Sequence, residues 1–170
     1  MFIRTKVIKG KEYAYVVKNK WTTKGARQKV SKYLGRQYTF SDPGPLEFSS
    51  FVGGEVTGYL KSTGYNDIIR DLVRWELSKH GFTEEKEGWK REQLALSAGA
   101  TSIQEGRKNV VLKINEGFLS SYTIGRVRRF NQADDDPDEV GYGLAERLVL
   151  AGIAVPKEVF VVLYEKSGKH

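Results

Sequence analysis

The sequence contains no cysteine and only two histidines, His80 and His170. Without thiols, the chain cannot form disulfides, cysteine-ligated zinc or iron–sulfur centres, or a thiol nucleophile. Two histidines also leave almost no choice of partners for a serine-based catalytic triad or a histidine-rich metal site. We therefore expect a protein without catalytic residues, without a metal site and without a cofactor.

Long apolar runs are absent as well. No stretch approaches the ~18 uncharged apolar residues that a membrane span needs, and the opening MFIRTKVIKG has no long apolar run behind its basic residues. The pattern is not that of a secretory signal, so we expect a cytoplasmic protein with no membrane partner. At 170 residues, the chain suits one core of about 100 to 150 residues with a small appendage.

Acidic residues are scarce at the start of the chain. Residues 1–40 contain eleven Lys and Arg but only one acid, Glu12, which gives this segment a net charge of +10. Since the whole chain has a formal charge of +7, residues 41–170 carry −3. Such clustering usually marks a surface that meets phosphates or another anionic partner. A solvated face that keeps the protein soluble is the alternative.

The basic segment, residues 1–40, is termed the head, and its sequence predicts a small antiparallel sheet. Two β-rich runs, 2–8 and 12–18, flank the turn at Lys9-Gly10-Lys11, and a second turn at 22–26 leads into a strand over 27–35. A meander of this size cannot hold a core alone. We therefore expect the head to pack on the rest of the chain or on a ligand.

The strings IRTKVIKGKEYAYVVK, TTKGARQKV and YLGR, all within residues 1–36, carry a resemblance. This pattern resembles a short amino-terminal β-module found ahead of several archaeal proteins, including some transposase-like and Fic-domain proteins. A Fic catalytic loop would need an HPF...GNGR string, and no His-Pro occurs here. The resemblance implies an archaeal origin and a module for nucleic-acid or partner contact, and it brings no catalytic residue.

Residues 41–58 contain two prolines and four glycines, which predicts an ordered linker between the head and a body at 59–170. In the body, apolar residues at helical spacing predict a helix over 65–77, started by Thr63 or Asn66 and ended at Gly81. Residues 82–114 are best interpreted as strands. A second helix is expected to start at Asn115.

The acidic run at 134–139 allows two interpretations. Paired carboxylates can hold Mg²⁺, but consecutive aspartates cannot all point at one ion. The favoured interpretation is a helix start, with Asp136 as the cap, Pro137 in the first position and Glu139 completing a capping box before a buried face that includes Val140. Residues 156–166 fit a helix or a strand, and we favour a helix. The expected fold is thus α+β, with a β-meander head packed on or linked to an α/β body of about three helices.

The candidate phosphate-binding residues are the head cations and an arginine cluster in the body. They are Lys9, Lys11, Lys18, Lys20, Lys24, Arg27, Lys29, Lys32, Arg36, Arg126, Arg128 and Arg129. For the last three, stabilisation of a helix carboxyl end is the alternative. Tyr13, Tyr15, Trp21 and Tyr33 are available to stack on unpaired bases, although Tyr13 and Tyr15 fit a core role equally well.

These observations predict a non-enzymatic protein that binds nucleic acid through its head. Two alternatives stay open: a ribosome-associated structural protein that recognises folded RNA, and an interaction or regulatory module that docks on an acidic protein. The sequence does not distinguish DNA from RNA, and it leaves sequence preference and oligomeric state undetermined.

Overall fold

The computed structural model describes residues 1–23, 25–41 and 43–169. Within these ranges, the chain forms one mixed sheet of nine strands and six α-helices, which confirms the α+β class. The strands are β1 Phe2–Ile8, β2 Lys11–Thr22, β3 Gly25–Thr39, β4 Thr83–Glu85, β5 Gly88–Arg91, β6 Leu94–Leu96, β7 Ile103–Glu105, β8 Lys108–Ile114 and β9 Gly117–Leu119. The helices are α1 Phe48–Phe51, α2 Val56–Ser62, α3 Tyr65–Lys79, α4 Ser121–Arg128, α5 Tyr142–Ala151 and α6 Lys157–Lys166.

The sheet runs in the order β1-β2-β3-β8-β7-β6-β5-β4, with β9 paired to β8. The pairing is antiparallel throughout, except that β3 and β8 run parallel, with Arg36 opposite Val110 and Thr39 opposite Lys113. Strand pairing therefore continues from the head into the body. The division into head, linker and body stays a prediction about independent folding.

Gly35 is the residue at which β3 reaches β8. Its φ is +130°, and a Cβ atom built at this position would clash with the carbonyl oxygen of Asn109. Both the backbone conformation and the close approach exclude a larger side chain. The head and body sheets can therefore join at this point because the residue is glycine.

The buried side chains form two clusters. The larger one lies in the body and gathers residues of α3, β8 and the later helices, such as Leu72, Leu112 and Leu163. The smaller one places four head residues, Ile3, Ala14, Val16 and Leu34, on Val111 of β8, with Phe118, Tyr122 and Leu150 packed against them. The head therefore packs on the body through a core of its own.

The α3 helix confirms the prediction from apolar spacing, although Gly64 and not Thr63 or Asn66 occupies the capping position. The segment predicted as a linker contains α1 and the start of α2. Its Phe48 is buried, with its ring centroid 5.3 Å from that of Trp75. The expected three helices were too few, because these short helices are held by contacts with α3 and not by a strong local signal.

The prediction that Asn115 starts a helix is wrong. Asn115 lies in the turn between β8 and β9 with a φ of +44°, and its amide donates to the Glu76 carboxylate at 2.8 Å and to the Gly152 carbonyl at 3.0 Å. The helix starts after Ser120, whose side chain and that of Thr123 form a capping box. Asn115 therefore makes tertiary hydrogen bonds, and its local sequence resembles that of a helix cap without forming one.

The acidic run does not start a helix at Pro137. Asp136 accepts a hydrogen bond from the Asp138 N–H at 3.0 Å and closes a turn, while α5 begins at Tyr142. Asp135 takes the role expected of Asp136, since its carboxylate accepts from the Gly141 and Gly143 N–H groups at 2.8 and 3.1 Å. Val140, expected in the buried face, is 68% exposed.

One further sequence interpretation can be compared with the fold. Residues 157–166 form α6, so the choice of helix over strand is confirmed. Across the described part of the chain, no three His, Asp or Glu side chains cluster closely enough to hold a metal ion.

Candidate nucleic-acid interface

The outer half of the β2–β3 hairpin projects from the sheet. Residues 18–22 of β2 and 25–29 of β3 are all exposed, whereas Ala14 and Val16, nearer the base, are buried. We term residues 18–22 and 25–29 the arm. The two-stranded ribbon therefore presents side chains of both of its faces to solvent.

The strand register assigns four cations to one face of the arm. Lys18 lies opposite Lys29, and Lys20 lies opposite Arg27. Directly paired residues project to the same side of a sheet, and so do residues two apart on one strand. These four side chains therefore form a single cationic face.

The opposite face of the arm is polar and aromatic. Asn19 pairs with Gln28, and Trp21 pairs with Ala26. Arg4 of β1 reaches this side and donates a hydrogen bond to the Gln28 side-chain oxygen. Trp21, near the tip, is 81% exposed. We term Asn19, Trp21 and Gln28 the amide face.

Two irregularities interrupt the pairing of β3 with β2 at the base of the arm. The register skips Leu34, which lies between the Ala14–Gly35 and Tyr15–Tyr33 pairs, and it skips Ser31 further out. The Ser31 hydroxyl donates to the carbonyl of Val16 at 3.2 Å. Such bulges bend a strand and increase its twist. They lie where the buried base of the hairpin gives way to the exposed arm.

A basic notch lies at the base of the arm, where β3 separates from β8. It encloses about 540 Å³ and is lined by four cations, Lys11, Lys32, Arg36 and Lys108. Glu105 also lines it and forms an ion pair with Arg36 at 3.6 Å. The notch therefore gathers positive charge between the base of the hairpin and the first residues of β8.

Three of the four head tyrosines form a cluster in which Tyr33 contacts both Tyr13 and Tyr15. The ring centroids of Tyr15 and Tyr33 lie 5.3 Å apart, and those of Tyr13 and Tyr33 lie 6.3 Å apart. Burial, with smaller contributions from the two neighbouring tyrosines, raises the pKa of Tyr33. Tyr13 and Tyr15 are half-buried, and Tyr33 is 54% exposed. Of the three, Tyr33 has the ring most accessible to a base.

The remaining head cations occupy different environments. Lys9 lies exposed in the β1–β2 turn with a φ of +49°, and Lys24 falls outside the described residues. The Lys32 ammonium lies 5.2 Å from the centroid of the Tyr122 ring. Arg36 is half-buried and stacks on Tyr38 at 4.6 Å. Lys32 and Arg36 therefore also contribute to packing at the base of the arm.

The body arginines differ from one another. Arg128 donates to the Gly99 carbonyl at 2.9 Å and to both the side chain and the carbonyl of Asn66 at 3.3 Å. Arg126 is half-buried, and Arg129 is exposed at the end of α4. The contacts of Arg128 support a structural role in fastening α4, so phosphate binding by this cluster stays a prediction.

Four residues of this surface were not among the sequence-based candidates: Arg4, Asn19, Gln28 and Lys108. Asn19 and Gln28 become a pair only once the hairpin register is known. The register of the arm could have been derived from the turn around Gly25, because pairing Thr22 with Gly25 fixes the pairs from Trp21–Ala26 to Lys18–Lys29. Lys108 joins the notch through the parallel β3–β8 contact, for which the local sequence carries no signal.

Within residues 1–23, 25–41 and 43–169, no helix is long and apolar enough to cross a membrane. Comparisons of the chain with protein-family models, with curated proteins and with solved structures find no match. The resemblance of residues 1–36 to an archaeal β-module therefore stays a prediction, and function must be argued from the arm and the notch.

Proposed function

We propose that this protein binds nucleic acid inside the cell, through the arm and the adjoining basic notch, and that its role is binding and not catalysis. The observation that carries the proposal is the cationic face. Lys18, Lys20, Arg27 and Lys29 are exposed, and none of the ion pairs among the described residues joins them to a carboxylate.

This arrangement opposes folding in the free protein. Like charges directly opposite on two strands destabilise the pairing, and the arm contains two such pairs, Lys18–Lys29 and Lys20–Arg27. Solubility alone does not require this pattern, because charges of mixed sign serve it as well. A phosphate backbone would remove the repulsion by supplying the missing anions.

The spacing of the cations also suits a polyanion. Lys18 and Lys20 lie on one strand, about 6.6 Å apart at the rise of an extended chain. Duplex DNA carries one negative charge per ~1.7 Å of its axis, so phosphates are more closely spaced than the two lysines, and each ammonium group can contact one. Neutralising these phosphates releases condensed counterions, which supplies affinity independent of sequence.

The proposal is tested by the salt dependence of binding. The test variant has Lys18, Lys20, Arg27 and Lys29 all changed to Gln. The slope of log affinity against log salt on duplex DNA is negative, and we expect its magnitude to decrease by about 3 to 4 in this variant, at ~0.9 per lost phosphate contact. The thermal midpoint of the free protein should not fall, because two repulsive pairs are removed. Fluorescence anisotropy at several salt concentrations measures the slope.

The matched control removes the same charge from the body. Lys61, Lys86, Lys157 and Lys169 are exposed and lie outside the arm and the notch, and changing all four to Gln should leave the slope nearly unchanged. An equal fall in both variants would mean that net charge, and not the arm, determines binding. Failure of the parent protein to bind DNA or RNA, with retention of an acidic protein, would replace the proposal by the interaction-module alternative.

Recovery of copurifying nucleic acid, followed by separate digestion with RNase and DNase, gives an independent check. Co-sedimentation with ribosomal subunits would favour the ribosome-associated alternative. Both measurements use the full chain, and neither requires that the target sequence be identified first.

A further inference from the structure

We infer that the arm enters the major groove of duplex DNA, with its amide face toward the base edges and its four cations on the two bordering phosphate backbones. This inference rests on the proposed function and adds the class of nucleic acid and the orientation of the arm. It is derived from the size of the arm and the chemistry of its two faces.

The dimensions of the arm select the groove. Two paired strands lie about 4.8 Å apart, and a two-stranded ribbon with its side chains fits the major groove of B-form DNA, which is about 12 Å wide and 8.5 Å deep. The minor groove, at about 6 Å, is too narrow for an undistorted ribbon. Double-stranded RNA offers a deep and narrow major groove that side chains cannot read.

The length of the arm permits insertion. Its five paired positions, from Lys18–Lys29 to Thr22–Gly25, span about 17 Å at the rise of an extended strand. With one face toward the base edges, the ribbon lies along the groove, and this length covers about five base pairs at ~3.4 Å per base pair. Because both faces are exposed over this length, the ribbon can lie in the groove without displacing any part of the body.

The amide face carries the side chains that read base edges. Asn and Gln form paired hydrogen bonds with adenine in the major groove. Because Arg4 donates to the Gln28 side-chain oxygen, the NH₂ group of Gln28 stays free to donate to a base acceptor. Asn19 is exposed, and no side-chain hydrogen bond joins it to another described residue, so its amide can both donate to and accept from an adenine. Trp21 offers an apolar surface to a thymine methyl group.

The cationic face then faces out of the groove, with two charges at each border. Lys18 and Lys20 belong to β2, whereas Arg27 and Lys29 belong to β3. Their long side chains can extend sideways, so each strand serves the backbone on its own side. The reverse orientation would bring all four cations to the base edges and leave Asn19, Gln28 and Trp21 without a nucleic-acid contact.

Three probes of equal length test the nucleic-acid class: mixed-sequence duplex DNA, one of its single strands, and the corresponding duplex RNA. We expect the duplex DNA to bind about tenfold or more tightly than either competitor at the same salt concentration, since only its major groove admits the ribbon. Methyl green, a major-groove ligand, should compete with the protein. Netropsin, a minor-groove ligand, should not.

The orientation is tested with two variants of matched size. Changing Asn19 and Gln28 to Ala should reduce the preference among duplexes of different sequence and leave the salt slope unchanged. Changing Lys18 and Lys29 to Gln should reduce the magnitude of the salt slope by about 2, at ~0.9 per contact, and should leave the preference among duplex sequences unchanged. Loss of sequence preference in the lysine variant, with none in the amide variant, would overturn the orientation.

Trp21 supplies a direct signal from the arm. The other two tryptophans, Trp75 and Trp89, are buried, so iodide quenching of the fluorescence reports mainly on Trp21. We expect duplex DNA to protect this fluorescence, and the effect should vanish in Trp21→Phe. Undiminished quenching in a saturated complex would mean that the amide face remains in solvent, which would contradict the inference.

The outcomes separate the two proposals. Tighter binding to single strands or to duplex RNA, with a slope still lowered by the cation variants, would overturn the major-groove inference and leave nucleic-acid binding intact. Competition by netropsin alone would do the same. Absence of binding to all three probes would overturn both.

Discussion

Glu76 connects three parts of the body, although it is a fully buried carboxylate. It accepts hydrogen bonds from the Ala154 N–H and the Asn115 amide, both at 2.8 Å, and lies 3.0 Å from the Lys79 ammonium. Burial raises the pKa of Glu76, while Lys79 and the N–H donors act in the opposite direction. The sequence could not reveal this role, because each partner except Lys79 is distant along the chain.

His80 is a second residue whose position the sequence did not reveal. A histidine beside a glycine at a helix end is typically a surface or capping residue, but His80 is 3% exposed and its ring centroid lies 6.4 Å from that of Phe40. Among the described residues, neither ring nitrogen has a hydrogen-bond partner. The helix end itself was predictable from local sequence, whereas its cover by Phe40 and Arg91 depends on the tertiary fold.

The burial of His80 predicts a dependence of stability on pH. Burial, followed by the charges of Lys79 and Arg91, lowers the pKa of His80, whereas the unfolded chain titrates near 6.5. The unfolded state therefore binds more protons below this value, so stability is complete above about pH 6.5 and falls as the pH drops through it. We expect a lower thermal midpoint at pH 5.5 than at pH 7.5.

The matched variant is His80→Phe, which fills a similar volume and does not titrate. Its thermal midpoint should change much less between pH 7.5 and 5.5 than that of the parent protein. An identical decrease in both proteins would show that other groups cause the pH dependence. Circular dichroism melting curves at the two pH values provide the measurement.

At the scale of elements, the hairpins and α3 were predictable because their signals are local. Glycine turns fix a hairpin, and apolar spacing fixes an amphipathic helix. The parallel pairing of β3 with β8 was not predictable, because Arg36 and Val110 are far apart in sequence and no local pattern marks them as partners. The cations of the arm were identified from the sequence. Their position on the face opposite Asn19, Trp21 and Gln28 became clear only from the pairing of β2 with β3.

The β3–β8 junction predicts an unequal effect of two glycine substitutions. Gly35→Ala introduces a side chain at a φ of +130° and against the Asn109 carbonyl oxygen, so we expect a loss of more than ~2 kcal/mol in the free energy of unfolding. Gly10→Ala is the control, because Gly10 has a φ of +74° but no atom within 4 Å of the added Cβ. Urea denaturation measures both.

The Gly10 variant should lose less stability, since it experiences the backbone strain without the steric contact. Equal losses in the two variants would mean that the close approach of β3 to β8 contributes nothing to stability. The salt slope of DNA binding should stay unchanged in Gly10→Ala, because the β1–β2 turn lies outside the arm.

At the scale of the whole molecule, the distribution of charge and the distribution of buried residues differ along the chain. The head carries +10 and the remainder −3, an asymmetry that would orient the arm toward the proposed polyanionic partner during approach. The larger core, however, consists of residues from Phe48 onward, with Tyr38 and Phe40 only packed against it. The head should therefore depend on the body more than the body depends on the head.

This difference predicts the behaviour of two fragments. Residues 41–170 retain the larger core, so we expect them to give a cooperative thermal transition by circular dichroism, whereas residues 1–40 alone should be largely unstructured. Removal of the head uncovers Val111, Phe118 and Tyr122 and the edge of β8. The 41–170 fragment should therefore associate at high concentration, and a disordered fragment would contradict the proposed division.

The parallel ladder between β3 and β8 has a consequence for the order of folding. The three head strands are consecutive, so their pairing requires the closure of short loops only, whereas the contact of Arg36 with Val110 requires closure of the long intervening chain. Because the head residues pack on Val111 of β8, we expect the head to become stable only after β8 has been synthesised. Until β8 arrives, the outer edge of β3 stays open to pairing with other chains. The lysines and arginines along the hairpin carry charges of one sign, so we expect electrostatic repulsion to disfavour edge-to-edge pairing of two such chains before β8 is in place.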